Sequence, residues 1–231
     1  MRKNLFYVFI SIISAFGLSS CSDQDDMVFS CDESVNLWAK ENIAEIREMN
    51  RAGWKTLPAS KKRAAYVAFT PQQKISFWKE KLTNVMSMDW TKEEQAHIKL
   101  VYDFVNEHPD FFGGDGLTDE QLNVLDLFFY KWVDVARNEL GWDMKLIAAI
   151  AAYGGDFEID ASTKGRKRVV TDIFDDRLDD MNSCHCNTGM LSDFCNVTGE
   201  GMCEDVKCEG SDWGCGWIWL DDCNGRCSEF L

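Results

Sequence analysis

The residues best suited to chemistry gather near the C-terminal end, where eight of the ten cysteines fall: Cys184, Cys186, Cys195, Cys203, Cys208, Cys215, Cys223 and Cys227. Thiols this dense can pair as disulfides or bind a metal such as zinc. Cys184-His185-Cys186 offers two thiolates and an imidazole, but the usual structural zinc signature, a pair of Cys-x-x-Cys knuckles, does not occur. Few aliphatic residues lie between the cysteines, so the segment cannot bury enough apolar surface to offset its chain entropy. Disulfides, each worth about 2–5 kcal/mol, would supply the difference. All eight are therefore disulfide candidates, with no metal expected and the connectivity open. Within the segment Trp217 and Trp219 flank Ile218, which would place both indoles on one side of an extended strand. Such a pair can contact a sugar or a membrane surface, or can form the core of a small module.

Other chemistry is sparse. There is no His-Glu-x-x-His, no Gly-x-Ser-x-Gly and no phosphate-binding glycine loop. Of the three histidines, His97 falls on an expected helix, His108 at its end and His185 between two cysteines. No catalytic residue, cofactor or enzymatic activity is expected. Gly113-Gly114-Asp115-Gly116 has part of the form of a calcium loop, but Leu122 stands where a bidentate Glu belongs.

At the other end, Arg2 and Lys3 precede an apolar run that closes in Leu18-Ser19-Ser20-Cys21. The run is too short to span a membrane and has the charge-then-apolar order of a signal peptide. Its end resembles a bacterial lipobox, which implies cleavage before Cys21 and lipidation of its thiol. The acidic cluster Ser22-Asp23-Gln24-Asp25-Asp26 resembles the signal that sends lipoproteins of Bacteroidetes-type bacteria to the outer face of the outer membrane. The expected location is the bacterial outer membrane, lipid-anchored and surface-exposed, an oxidising setting in which disulfides persist.

With 24 basic and 39 acidic residues the chain carries a formal charge of −15, which repels nucleic acid and anionic lipid. In the cysteine-rich segment only Lys207 and Arg226 oppose a larger number of Asp and Glu residues, the wrong sign for a cationic membrane-disrupting peptide.

Two further runs, Gly214-Cys215-Gly216-Trp217-Ile218-Trp219-Leu220 and Cys223-Asn224-Gly225-Arg226-Cys227, stand out. Together with Cys184-His185-Cys186 they resemble the bacteriocin fulvocin C-related proteins, a family of exported bacterial proteins. The resemblance covers about a fifth of the chain and implies an exported cysteine-stapled module, without implying antibacterial activity.

The elements that must position this segment read as helices. Asp32 can cap a helix carrying Val35, Trp38, Ile43 and Ile46, and a shorter helix is expected over residues 60–68. Thr70-Pro71-Gln72-Gln73, Thr91-Lys92-Glu93-Glu94 and Thr118-Asp119-Glu120-Gln121 are three helix starts with capping-box potential. The first should bury Ile75, Trp78, Leu82 and Val85, and the second Ile98, Val101, Tyr102 and Val105. In the third, Leu122, Leu125, Phe128, Trp132, Ala136 and Leu140 are widened by Val124, Leu127 and Val135, a pattern that predicts a central helix buried on much of its circumference. A last helix runs from Asp143 to the stop at Gly154-Gly155, and the connector holds the basic run Lys164, Arg166, Lys167 and Arg168 with a short helix expected from Val169.

The expected fold is mainly α, an all-α helical domain followed by a small disulfide-rich module. Its parts are a signal peptide at 1–20, an acidic tether at 21–31, the all-α domain at 32–154, a connector at 155–183 and the cysteine-rich module at 184–231. The expected role is a surface lipoprotein presenting a non-enzymatic interaction module. Its partners would be the membrane, through the N-terminal lipid, and an extracellular protein or glycan, with no nucleic acid. The alternative is a bacteriocin-like precursor cut in the basic run, with the module as effector. Cys31 is the odd cysteine, and its state is open.

Overall fold

Helix starts follow the capping residues closely. Thr70, Thr91 and Thr118 each accept a bond from the backbone N–H three residues on, and Gln73, Glu94 and Gln121 reach back to the cap residue, three closed capping boxes. They open α5 (Pro71–Met86), α6 (Lys92–Glu107) and α7 (Asp119–Asn138). The computed structural model describes residues 27–113, 116–160, 167–170, 186–188, 195, 202–205 and 214–228. Before α5 come α1 (Glu33–Glu41), α2 (Ile43–Ile46), α3 (Arg51–Lys55) and α4 (Ala59–Ala68), and α8 (Met144–Ala151) follows α7. Among the described residues the strands are β1 (Ile159–Asp160), β2 (Arg168–Val169), β3 (Met202–Asp205) and β4 (Gly225–Ser228). The fold is mainly α with disulfides in its C-terminal region. No helix among the described residues is long and apolar enough to cross a membrane.

The core is built on α5 and α6, which pack along their lengths. Trp78, Leu82 and Val85 of α5 and Ile98, Val101 and Val105 of α6 are essentially buried. Every residue from Leu146 to Ala151 of α8 is buried as well, which explains a sequence of almost nothing but Ile, Leu and Ala. After α8 the chain turns through Gly154 and Gly155, whose carbonyls are taken by two buried cations. Arg51 Nε and Nη2 donate to Gly154 O at 3.1 and 2.9 Å, and Lys81 Nζ donates to Gly155 O at 2.5 Å. The cations satisfy buried carbonyls in the turn that follows α8, which would otherwise be costly to leave unpaired. Burial, with Arg51 nearby, pushes the Lys81 ammonium well below its ordinary range. Asp156 bonds both Arg51 at 2.6 Å and Lys55 at 2.7 Å; burial works to raise its carboxyl, but these two cations hold it down at about 2.

Four expectations are corrected. The first helix breaks at Asn42, so Ile43 and Ile46 belong to α2 and not to the helix capped by Asp32. On α5 the buried positions include Lys74, Phe77 and Lys81, whereas Ile75 is only partly covered. The long α7 is not buried around its circumference: Leu125, Phe129, Trp132 and Ala136 form one buried stripe, while Val124 and Leu127 are exposed. It lies at the edge of the bundle, covered on one side. Val169 starts no helix; it pairs in β2 with Ile159 of β1, and Arg168 pairs with Asp160.

Candidate functional site

The glycines around Cys215 determine how the stapled segment meets the helices. Gly214 and Gly216 have φ of +112° and +72°, open to glycine without steric cost. Between them the Cys215–Cys223 disulfide closes a loop, and Cys215 and Asp221 exchange backbone bonds, each of 3.0 Å. The loop crosses itself in a tight 3-10 turn over Trp217–Trp219, with Ile218 and Trp219 at φ of +42° and +56°. Such φ values are rare for any non-glycine residue and costly for a β-branched one. The segment is therefore not the extended strand that the Trp-Ile-Trp alternation suggested.

What compensates the strain is burial. Trp217, Ile218, Trp219 and Leu220 all lie in the same core cluster as α4, α5, α7 and α8. Trp217 stacks on Phe129 with ring centres 4.8 Å apart and planes within 8°. Trp219 enters a box of Trp54, Tyr66, Phe77 and Trp78, with centroids 5.7, 4.8, 5.7 and 5.6 Å away. Its Nε1 donates to Ala152 O at 2.8 Å. Tyr66, whose hydroxyl accepts from Trp78 Nε1 at 3.0 Å, lies 3.4 Å from Ile218 O, and burial pushes its phenol up. At 4% and 6% exposure the two tryptophans are core residues of the helical body, not contact residues on a surface. A Cβ on Gly154 would stand 2.5 Å from Trp219, so that glycine leaves room for the indole.

Around the disulfide, Arg63 of α4 donates through Nη1 to Gly214 O and lies 3.3 and 3.6 Å from the Cys215 and Cys223 sulfurs. Cys31 packs against the same pair. Asp221, nearly buried, has one carboxylate oxygen without a hydrogen-bond partner. Burial, then Asp126 and Asp222 close by, push its carboxyl up to about 7.

The second cysteine motif has an equally structural reading. β3 pairs antiparallel with β4, placing Cys203 opposite Cys227 and Asp205 opposite Gly225. The Cys186–Cys203 disulfide ties the segment around Cys186 to this hairpin. Cys186 bonds Gly225 through both its N–H and its carbonyl, at 3.2 and 3.0 Å. A Cβ on Gly225 would meet Cys203 Sγ at 2.5 Å, and Asn224 Oδ1 accepts from Thr188 N at 2.8 Å. Asn and Gly thus hold the strand crossing. Cys195 is also disulfide-bonded, and its sulfur lies within 4.8 Å of those of Cys186 and Cys203. Cys21, Cys184, His185 and Cys208 lie outside the described residues, as does the side chain of Cys227.

The two described histidines are engaged in packing. His97 stacks on Trp132 at 5.1 Å with planes within 3°, and its Nε2 meets Trp132 O at 2.9 Å, which requires that nitrogen to carry the proton. Burial lowers its pKa despite that bond. His108 ends α6 against Phe104 and Phe111.

The end of α7, the start of α8 and β2 form an open cavity of about 640 Å3 lined by Arg137, Trp142, Asp143, Lys145, Lys167 and Arg168, among others. The basic run is the part of this cavity that the sequence groups together, while Arg137 and Lys145 lie far from it along the chain. No family model, curated protein or solved structure matches this chain.

Proposed function

We propose that the protein is an exported bacterial lipoprotein, anchored through Cys21 in the outer membrane and exposed at the cell surface. Its helical body holds out a disulfide-stapled, non-enzymatic interaction surface. The observation that carries this reading is the burial of Trp217–Leu220 in the helical core. It favours permanent display over the alternative, a bacteriocin-like precursor that sheds its module. Four apolar residues in another unit's core bind it more firmly than the connecting chain does, so a cut in the basic run leaves the segment seated. The end of that run is itself held, since Lys167 pairs with Glu94 and Arg168 lies in β2. Outward, the segment presents Met202, Glu204, Asp205 and Asp222. This acidic face suits a neutral or basic extracellular protein or a glycan, and opposes nucleic acid.

The test is proteolysis of intact cells and of purified protein. A protease site placed in residues 161–166 should be cleavable without the C-terminal fragment leaving the body on native size exclusion. The nicked protein should stay on the cell surface, and Cys21→Ala should release it from the membrane fraction. Dissociation of an intact stapled fragment after the cut, or its accumulation in culture supernatant, would favour the precursor. Retention of Cys21→Ala in the membrane would refute the lipid anchor.

A further inference from the structure

Arg137 on α7, Lys145 on α8, and Lys167 and Arg168 at β2 come from three parts of a chain with a formal charge of −15, yet they line one cavity. Among the described residues, one lining carboxylate, Asp143, stands against these four cations. That carboxylate is already engaged as the N-cap of α8, accepting from Leu146 N at 2.8 Å. Behind the wall, Glu94 pairs with Lys167 and accepts from Trp142 Nε1 at 3.2 Å, so one buried carboxylate fixes both a cation and an aromatic of the lining. Burial works to raise the Glu94 carboxyl, but bonds from Lys167, Thr91 and Trp142 hold it lowered. Lys167 is further held over the Trp90 ring at 5.0 Å. Arg137 and Arg168 are exposed.

We propose that this cavity binds a small polyanion, a molecule bearing at least two phosphate or carboxylate groups. Its 640 Å3 falls within the roughly 300–1,000 Å3 typical of small-molecule sites. Like charges gathered into one concavity repel, and an anion between them turns that repulsion into attraction. Two guanidinium forks match the planar geometry of oxyanions, and Lys145 adds a point charge from α8. The start of α8 contributes the positive end of its dipole. Cations supplied by three separate elements suit a ligand with more than one anionic group. Polymeric nucleic acid is opposed by the charge of the rest of the chain. The site lies where β2 meets α7 and α8, and its test does not depend on the anchor or on the stapled segment.

Isothermal titration of the oxidised mature chain at low ionic strength, with pyrophosphate, citrate and acetate as probes, decides the matter. Pyrophosphate or citrate should bind saturably at one site, acetate should not, and the tighter of the two polyanions assigns phosphate or carboxylate chemistry. Affinity should fall as salt rises. Arg137→Gln with Arg168→Gln, both on exposed side chains, should lower affinity by about tenfold or more while the circular dichroism spectrum and Tm stay those of the parent. Lys92→Gln, an exposed cation that does not line the cavity, should leave binding unchanged. Absence of saturable binding by both polyanions at millimolar concentration overturns the proposal. So does equal affinity in the double variant.

Discussion

Trp219→Ala asks whether the stapled segment is part of the helical body's stability. The indole is 6% exposed, packs against four aromatic rings and bonds Ala152 O at 2.8 Å. Truncating a buried Trp costs about 3–5 kcal/mol, from lost transfer energy and the cavity left behind. The Ala152 carbonyl, stripped of its donor in a buried setting, adds about 1 kcal/mol. The expected loss is therefore near the upper end, about 5 kcal/mol. Trp219→Phe keeps a ring in the box but gives up the N–H and the larger fused system, for an expected loss of about 1–2 kcal/mol.

The assay is urea unfolding of the oxidised protein followed by far-ultraviolet circular dichroism, which reports the helices rather than the segment carrying the mutation. If the segment closes the helical core, the whole helical transition moves to lower urea with its slope unchanged. A shift worth less than about 1 kcal/mol for Trp219→Ala would refute the reasoning. So would two transitions of which only a minor one moves, because the segment would then be a separate unit resting on the body.

Replacing Cys215 and Cys223 together by Ser opens a short loop. In the chain-entropy account this should cost about 2.5 kcal/mol, read in the same urea experiment as the difference between oxidised parent and variant. For Asp221 the folded carboxyl sits at about 7 against an ordinary 3.8, raised by burial and then by Asp126 and Asp222. The native state binds the extra proton, so this group's stabilising contribution is complete below about pH 4, is lost as pH rises, and is gone above about pH 7. Asp221→Asn should therefore raise Tm at pH 8 and lose that advantage on approach to pH 4. The full swing is on the order of 4 kcal/mol, and a difference that is flat with pH counts against a buried titrating Asp221.

Local signals were readable because they act within one turn. Thr70, Thr91 and Thr118 fixed three helix starts through bonds spanning three residues, and the apolar repeat on α6 named Ile98, Val101 and Val105 correctly, whereas Tyr102 is only partly buried. The break at Asn42 and the exposed Val124 and Leu127 were not readable, since an apolar residue on a helix says nothing of whether a neighbour covers it. The same limit applied to Trp217 and Trp219. Their seat is formed by residues such as Trp54 and Phe129, distant in sequence, and their left-handed turn depends on burial that no local pattern encodes. The cavity cations escaped for the same reason: each lies in an ordinary charged stretch, and only the meeting of α7, α8 and β2 makes them a group.

The way the chain closes on itself also orders its folding. Arg63 on α4 reaches Gly214 across 151 residues, and Trp54 meets Trp219 across a still longer separation. Helices α3 to α5 can form as soon as they are made, but the aromatic box of Trp54, Tyr66, Phe77 and Trp78 has no occupant until the last part of the chain arrives. Loop closure over such distances is entropically costly and comes late. The Cys215–Cys223 bond lowers that cost by fixing the turn that carries Trp217–Leu220 before it docks, since a cross-linked loop has less freedom left to lose. Oxidation and completion of the helical core are thus coupled. A chain kept reduced should retain its capped helices yet leave a tryptophan-lined hollow open, with apolar surface exposed and a native-like far-ultraviolet spectrum over loosened packing.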